Sequence, residues 1–347
     1  MLSQIRLAHF RNFIHADFTF GTHLTLIVGD NAKGKTSLLE AIHTAVYGTG
    51  FRQSREVELI HWNADDCIVD VQFKEDDTNF RFQVRLTKIN TDRVHKTYYV
   101  NKTSKSAVQY AKNQTQAVLF APEQIRIITG SPSRKRNYFD SVISAVDPLY
   151  KKALHSYEHA LRRRNKVLEQ YEDPGHLHEE LFFWNQSLIE NGAFVSQKRT
   201  DYVRFLNEHP NVDGKKFRAE YHKDAFSQAR LERMFEKEMR FRRTLIGPQK
   251  DDFVLFLDGK QEKNISLYGS RSEQRMAVFW LKLNELAFFQ RESDQKPLLL
   301  LDDIFSELDG HNRELIMKMI KNHQTITTTT EHEVEDLAEM PEVVIEL

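Results

Sequence analysis

Residues Gly29, Asp30, Asn31, Ala32, Lys33, Gly34, Lys35 and Thr36 match the pattern G-x-x-x-x-G-K-[ST] in full. Those types and that spacing suit phosphate binding. Glycines let successive backbone N–H groups curl around a phosphate, and a helix beginning near Lys35 points its positive end at the same place. Lys35 adds a full charge toward β and γ phosphates, Thr36 offers a hydroxyl to Mg²⁺, and Ser37 completes the nucleotide-binding set. Such a loop needs a carboxylate to hold the metal, usually at the end of a buried strand. Leu298, Leu299, Leu300 and Leu301 followed by Asp302 and Asp303 supply it, at the carboxyl edge where open α/β sheets bind ligands. Asp302 would serve Mg²⁺ through its hydration shell, and Asp303 would orient or activate an attacking water.

A third candidate is Ser270, in the polar stretch Tyr268 to Arg275 that leads into an apolar helix with Met276, Phe279, Trp280, Leu283 and Leu286. A serine there suits an N-cap. Its place just before the acidic strand suggests a further use. In ATP-binding-cassette (ABC) ATPases a loop of this kind caps the γ-phosphate held by another subunit, again through a helix N-terminus.

The elements that must position these residues are legible in outline. Ile5 and Leu7, then Phe18 and Phe20, alternate as in a hairpin, and Leu24, Leu26 and Val28 form a strand that ends at the phosphate loop. After the loop, Leu38, Leu39, Ala41, Ile42, Ala45 and Val46 recur at helical spacing. Residues Cys67 to Phe73, Phe80 to Leu86 and Lys96 to Val100 predict a meander, and Ala117 to Ala121 a further strand. From Asp147 the chain turns rich in Leu, Glu, Lys, Arg and Gln, which predicts an inserted helical lobe punctuated near Pro174 and between Pro210 and Gly214. Strand texture returns at Asp252 to Leu257. The expected division is residues 1–145 and 244–347 for an ATPase head and 146–243 for the lobe.

Composition narrows the class. The chain has 347 residues, with 49 Lys plus Arg against 50 Asp plus Glu, so a protein that coats nucleic acid by bulk charge is excluded and any such surface must be a local patch. Hydrophobic residues make up 40% and there are 24 Phe, enough for a packed core rather than disorder. A single cysteine, Cys67, excludes an internal disulfide and fits a small buried residue in a reducing compartment. The start carries no apolar leader, and the longest aliphatic run, Leu298 to Leu301, is too short to span a bilayer. The expectation is a cytoplasmic protein with no membrane partner.

The ordered series of motifs resembles the RecF family, the short recombination-repair members of the SMC and ABC-type ATPase group, over nearly the whole chain. It runs through Phe10-Arg11-Asn12-Phe13, the phosphate loop, Phe120-Ala121-Pro122-Glu123, Gly130-Ser131-Pro132 and Arg134-Lys135-Arg136. It continues with Leu161 to Leu168, Trp184, Gly247-Pro248 with Asp251 and Asp252, the Ser270 loop, and Asp302-Asp303 with Ser306, Glu307, Leu308 and Asp309. The resemblance implies an α/β fold, an ABC-type P-loop ATPase head with a mixed β-sheet plus the inserted helical lobe. It implies ATP and Mg²⁺ as cofactors, with Arg11, Glu123 and Ser270 joining the nucleotide set. Lys35, Asp303 and Ser270 would be catalytic, and Thr36 and Asp302 would hold the metal. The last four residues of the series resemble the D-loop. Three positions depart from the family pattern: serine stands at Ser272 where glycine is usual, and Gln249 and Lys250 replace His and Arg after Gly247-Pro248. In the place of a switch histidine stand Thr327 to Thr330, Glu331 and His332, with His332, Thr329 and Thr330 as alternatives.

Function follows as an expectation. One phosphate loop and one signature loop per chain imply an ATP-dependent head-to-tail homodimer enclosing two nucleotides. From Arg126 to Lys166 ten cations stand against three acids, and Arg134, Lys135, Arg136, Arg162, Arg163 and Arg164 are the candidate DNA contacts. The resemblance further implies binding to double-stranded DNA and to duplex/single-strand junctions, slow DNA-dependent ATP hydrolysis, RecR and RecO as partners, and support of recombinase loading. A transporter subunit would carry a shorter helical region, and an SMC protein would need long coiled-coil arms.

Overall fold

The computed structural model describes residues 1–52, 55–75, 78–111, 116–171, 174–209, 211–259, 261–293, 296–305, 310–329 and 341–347, with backbone alone at 174–175 and 310–312. The N-terminal stretch runs β1 (Leu2–Phe10), β2 (Phe13–Thr19), β3 (Leu24–Val28), α1 (Lys35–Tyr47), β4 (Asp66–Glu75), β5 (Thr78–Lys88), β6 (Val94–Val100), β7 (Thr103–Lys105), α2 (Ala107–Ala111) and β8 (Ala117–Phe120). The middle holds α3 (Arg126–Thr129), α4 (Pro132–Val146), α5 (Pro148–Gln170), α6 (Pro174–Glu208), β9 (Asn211–Val212), β10 (Lys215–His222), α7 (Gln228–Phe241), β11 (Asp252–Leu257), β12 (Lys263–Asn264) and α8 (Ile265–Tyr268). The chain ends with α9 (Arg271–Ser293), β13 (Leu298–Asp302), α10 (Gly310–Asn322), β14 (Thr325–Thr329) and β15 (Val343–Glu346).

Two compact units result: Met1–Glu123 with Phe289–Leu347, and Gln124–Phe288. The first holds two sheets. An antiparallel one is ordered β2-β1-β4-β5-β6-β7, and a parallel one β15-β3-β14-β13-β8. The mixed set of strands expected from sequence thus divides by direction. In the parallel sheet every residue of β3, β13 and β14 is buried, as strands covered on both faces must be, so their sequences run apolar or β-branched without alternation. The antiparallel strands alternate instead: Cys67, Val69, Val71 and Phe73 turn inward from β4. Helix α1 lays Leu38, Leu39, Ala41, Ile42 and Ala45 into the same core as these strands. Cys67 is buried there, and burial pushes its thiol up to about 12.

The second unit runs from Gln124 to Phe288, where the expected lobe spanned 146–243. Within it β10, in the stretch expected to be helical, pairs antiparallel with β11 over Phe217 to His222. The cause is visible in Lys-Lys-Phe-Arg-Ala-Glu-Tyr-His: Phe217 and Ala219 point inward at a period of two, while the interleaved charges give the segment a helical composition. A buried ionic network underlies the Gly247-Pro248 and Asp251 motif. Arg199 reaches Asp140 at 2.8 Å, Asp251 at 2.6 Å and the Pro248 carbonyl at 2.9 Å. Burial works against the Arg199 charge, yet Asp140 and Asp251 hold the guanidinium above its ordinary value.

Candidate nucleotide site and basic surface

The parallel order β3-β14-β13 sets the phosphate loop and the acidic strand on either side of β14. Register then brings Asp302 opposite Thr328. Thr36 Oγ1 donates to Asp302 Oδ1 at 2.9 Å, Thr328 Oγ1 donates to the same oxygen at 3.0 Å, and the Asp303 N–H donates to Thr328 Oγ1 at 2.9 Å. Burial raises the Asp302 carboxyl above its ordinary range, against the lowering effect of both hydroxyls. Nearby Glu123 raises it further and Arg52 opposes. A buried carboxylate held with a hydroxyl and short of compensating charge fits a hard divalent cation. Among the described residues no group of three His, Cys, Asp or Glu could cage a metal, so such an ion would rely on phosphate oxygens and water, as Mg²⁺ commonly does.

The loop itself is shaped by its neighbours. Gly34 has φ +117°, and a Cβ there would meet Asn12 Nδ2 at 2.6 Å and Phe13 Cζ at 2.9 Å, so both conformation and space require glycine. Asn12, in the turn between β1 and β2, donates from Nδ2 to the Lys33 carbonyl at 3.1 Å. Lys35 is buried, and its ammonium donates to the carbonyls of Gly29 and Asp30, the latter at 3.1 Å. A phosphate offers it a charged acceptor in the same place. Arg11 Nε meets Glu40 Oε2 at 2.8 Å, and the Arg52 N–H donates to Glu40 Oε1 at 3.2 Å. Glu40 is fully buried.

These groups open onto a cavity of about 670 Å³, within the range of small-ligand sites. Of the expected residues it gathers Arg11, Asn31, Ala32, Gly34, Lys35, Thr36, Ser37 and Asp303. Gly29, Asp30 and Lys33 belong to the same loop, and Glu123 makes itself felt through its charge on Asp302. Asp303 takes φ +49°, a left-handed conformation that aspartate tolerates. Sequence reasoning did not single out Glu40, Arg52 or Trp62, and it named Thr328 only within the run Thr327 to Thr330. A charged Glu40 among apolar helix positions was the one available signal. The D-loop residues Ser306 to Asp309, and Thr330, Glu331 and His332, lie outside the described residues. Thr329 is buried in β14.

Ser270 belongs to the second unit, where it opens α9. Its N–H donates to Glu273 Oε2 at 2.7 Å while the Glu273 N–H donates to Ser270 Oγ at 3.3 Å, a reciprocal capping box. Ser272 lies in the helix without a positive φ, so no glycine is needed there. Gln249 is held by local contacts, since its Nε2 donates to the Ile246 carbonyl at 2.7 Å and Tyr157 donates to its Oε1.

Three cations of the basic stretch are engaged within the protein. Arg164 is 1% exposed and spends its guanidinium on Glu238 at 2.7 Å, Thr244 at 2.8 Å and Asn185 at 2.7 Å. It is a core ion pair, because its helical phase on α5 turns it inward. Lys135 is buried against Asp252 at 3.2 Å, and Arg136 donates to the Asp251 carbonyl at 2.7 Å. Arg134 is half-buried. Arg162, Arg163, Lys166, Lys151 and Lys152 are exposed on α5, and they carry what remains of the patch.

A protein-family model described as the RecF/RecN/SMC N terminal domain matches residues 1–346. The chain is 30% identical over 340 residues to the DNA replication and repair protein RecF of Agathobacter rectalis, covering 95% of this chain and 92% of that one. It is 31% identical over 358 residues to the RecF protein of an Exiguobacterium species, with 95% and 92% covered. A solved structure titled as the recombination mediator protein RecF-ATP in the RecFOR pathway superposes with a TM-score of 0.89 at 28% identity, over 99% of this chain and 95% of that chain. The Smc head domain of Pyrococcus furiosus, at 18% identity and TM-score 0.50, shares the fold over 95% of this chain and 90% of that chain.

Proposed function

Because the chain belongs to the RecF family, we propose that it is an ATP-dependent DNA-binding protein of recombinational repair that dimerises on binding ATP and hydrolyses it slowly. The observation that carries this is the joining of the phosphate loop to the acidic strand through Thr36, Asp302 and Thr328. In this reading the loop N–H groups and Lys35 hold the β and γ phosphates, and Thr36 with Asp302 would hold Mg²⁺. The ion supplies charge neutralisation at the phosphates when bound. Asp303, on the cavity wall, orients the attacking water. The capped N-terminus at Ser270 meets the nucleotide of a second copy, so two chains form a head-to-tail pair with two composite sites. Exposed cations on α5 contact DNA phosphates, duplex or duplex/single-strand junction, with little sequence preference. By family resemblance RecR and RecO are the partners and recombinase loading is the outcome, in the cytoplasm.

Sedimentation of the full chain with and without ATP-Mg²⁺ tests the core of this reading. The wild type should shift from monomer to dimer with nucleotide, whereas Lys35→Ala and Ser270→Arg should stay monomeric. Dimerisation that survives both changes would defeat the composite-site assignment.

A further inference from the structure

Beyond the phosphate loop, the cavity is also lined by Val57, Glu58, Ile60, Trp62 and Lys88. Trp62 is 70% exposed, a large apolar ring in water with no core role. Among the described residues its ring contact is with His61, which stacks against it at 3.9 Å between centroids and 28° between planes. The backbone on either side of Trp62 is tied down. The His61 N–H donates to the His9 carbonyl at 2.7 Å, the Arg11 N–H to the Leu59 carbonyl at 2.8 Å and the Ala64 N–H to the His61 carbonyl at 3.0 Å, while Ile60 bridges Phe10. The same turn carries Asn12, which binds the phosphate loop at Lys33. Aromatic platform and loop are therefore tied to one turn of backbone.

We propose that Trp62 is the base platform of this site, stacking a purine base of the nucleotide whose phosphates lie on the loop. Three observations select this occupant over a protein segment. The ring shares one cavity with Lys35, Thr36 and Asp303; that cavity, about 670 Å³, has room for base and sugar beyond the phosphates; and its lining includes the apolar Val57 and Ile60. A flat indole backed by His61 offers a π face that a base can cover, and such stacks are tolerant of base identity. The proposal rests on the phosphate-loop reading and adds to it the residue that recognises the non-phosphate end.

The test separates the two. Binding of ATP-Mg²⁺ and of inorganic tripolyphosphate with Mg²⁺ is measured calorimetrically on the full chain for wild type, Trp62→Ala, Trp62→Phe and Lys35→Ala. Trp62→Ala should weaken ATP by about tenfold, on the order of 1.4 kcal/mol, and leave tripolyphosphate unchanged, while Trp62→Phe should recover most of the loss. Lys35→Ala should weaken both ligands, and if it weakens neither, the phosphate-loop reading itself is wrong. ATP affinity unchanged in Trp62→Ala, or an equal loss for ATP and tripolyphosphate, overturns the platform alone. As a second readout on the native chain, indole emission should quench with ATP and not with tripolyphosphate, and the quench should vanish in Trp62→Phe; a quench that persists there belongs to Trp184 or Trp280 and also overturns the assignment.

Discussion

Asp302 holds a carboxyl in a place that favours its neutral form, and that conflict makes it the most informative single residue. Burial raises its pKa, with Glu123 adding to the rise. The folded chain therefore binds this proton more tightly than an unfolded aspartate does. Its stabilising share is present below the ordinary carboxylate range and is lost as pH rises through the raised value. Asp302→Asn keeps an oxygen to accept from Thr36 and Thr328 while removing the charge. We predict that without ligand the variant is more stable at neutral pH by on the order of 1 kcal/mol, and that Mg²⁺ no longer adds to the stabilisation given by ATP. Denaturant titration with and without Mg²⁺ checks both, and lower stability of the unliganded variant would refute the electrostatic account. Arg164 shows the opposite resolution of the same conflict. Its charge is buried beside Glu238, and a residue that was a DNA candidate in sequence makes a core interaction in structure.

At the scale of the element, α5 displays both outcomes on one helix. Arg162 and Arg163 face solvent while Arg164 faces inward, as a step of about 100° per residue allows. The double change Arg162→Ala with Arg163→Ala should leave stability within about 0.5 kcal/mol, weaken duplex DNA binding, and reduce the slope of log affinity against log salt by about two. Arg164→Ala should instead destabilise by about 3–5 kcal/mol, since it strands a buried Glu238. Equal DNA affinity for wild type and the double variant, measured across a salt series, would remove α5 from the interface. The run Arg162-Arg163-Arg164 reads as three equivalent cations in sequence. The helix phase becomes decisive only once the partners that cover one face, Glu238, Thr244 and Asn185, are in place. β10 makes the same point for strands, because its period of two was masked by Lys, Arg and Glu at the alternate positions.

For the molecule as a whole, the question is whether it turns over nucleotide or only clamps it. Asp303 lines the cavity at the end of β13, next to the Asp302 that Thr36 binds. Asp303→Asn should retain ATP affinity within about threefold, ~0.7 kcal/mol, and abolish the slow hydrolysis expected of wild type. An absence of hydrolysis in both chains would favour a nucleotide-gated clamp. The division into units bears on how the motifs work together. The phosphate loop, the acidic strand and β14 lie in the first unit, whereas Ser270 and the exposed α5 cations lie in the second.

The sequence alone determined the phosphate loop, the acidic strand after four leucines, the α1 core face and the family, because each is written in contiguous residues whose chemistry is local. Tertiary structure decided the rest. Only the parallel register of β14 between β3 and β13 places Thr328 on Asp302, and only packing makes Glu40 the buried partner of Arg11. Only the turn shared by His9, Arg11 and His61 sets Trp62 on the wall of the phosphate cavity. These partners are distant along the chain, and neither composition nor spacing records which distant residues will meet.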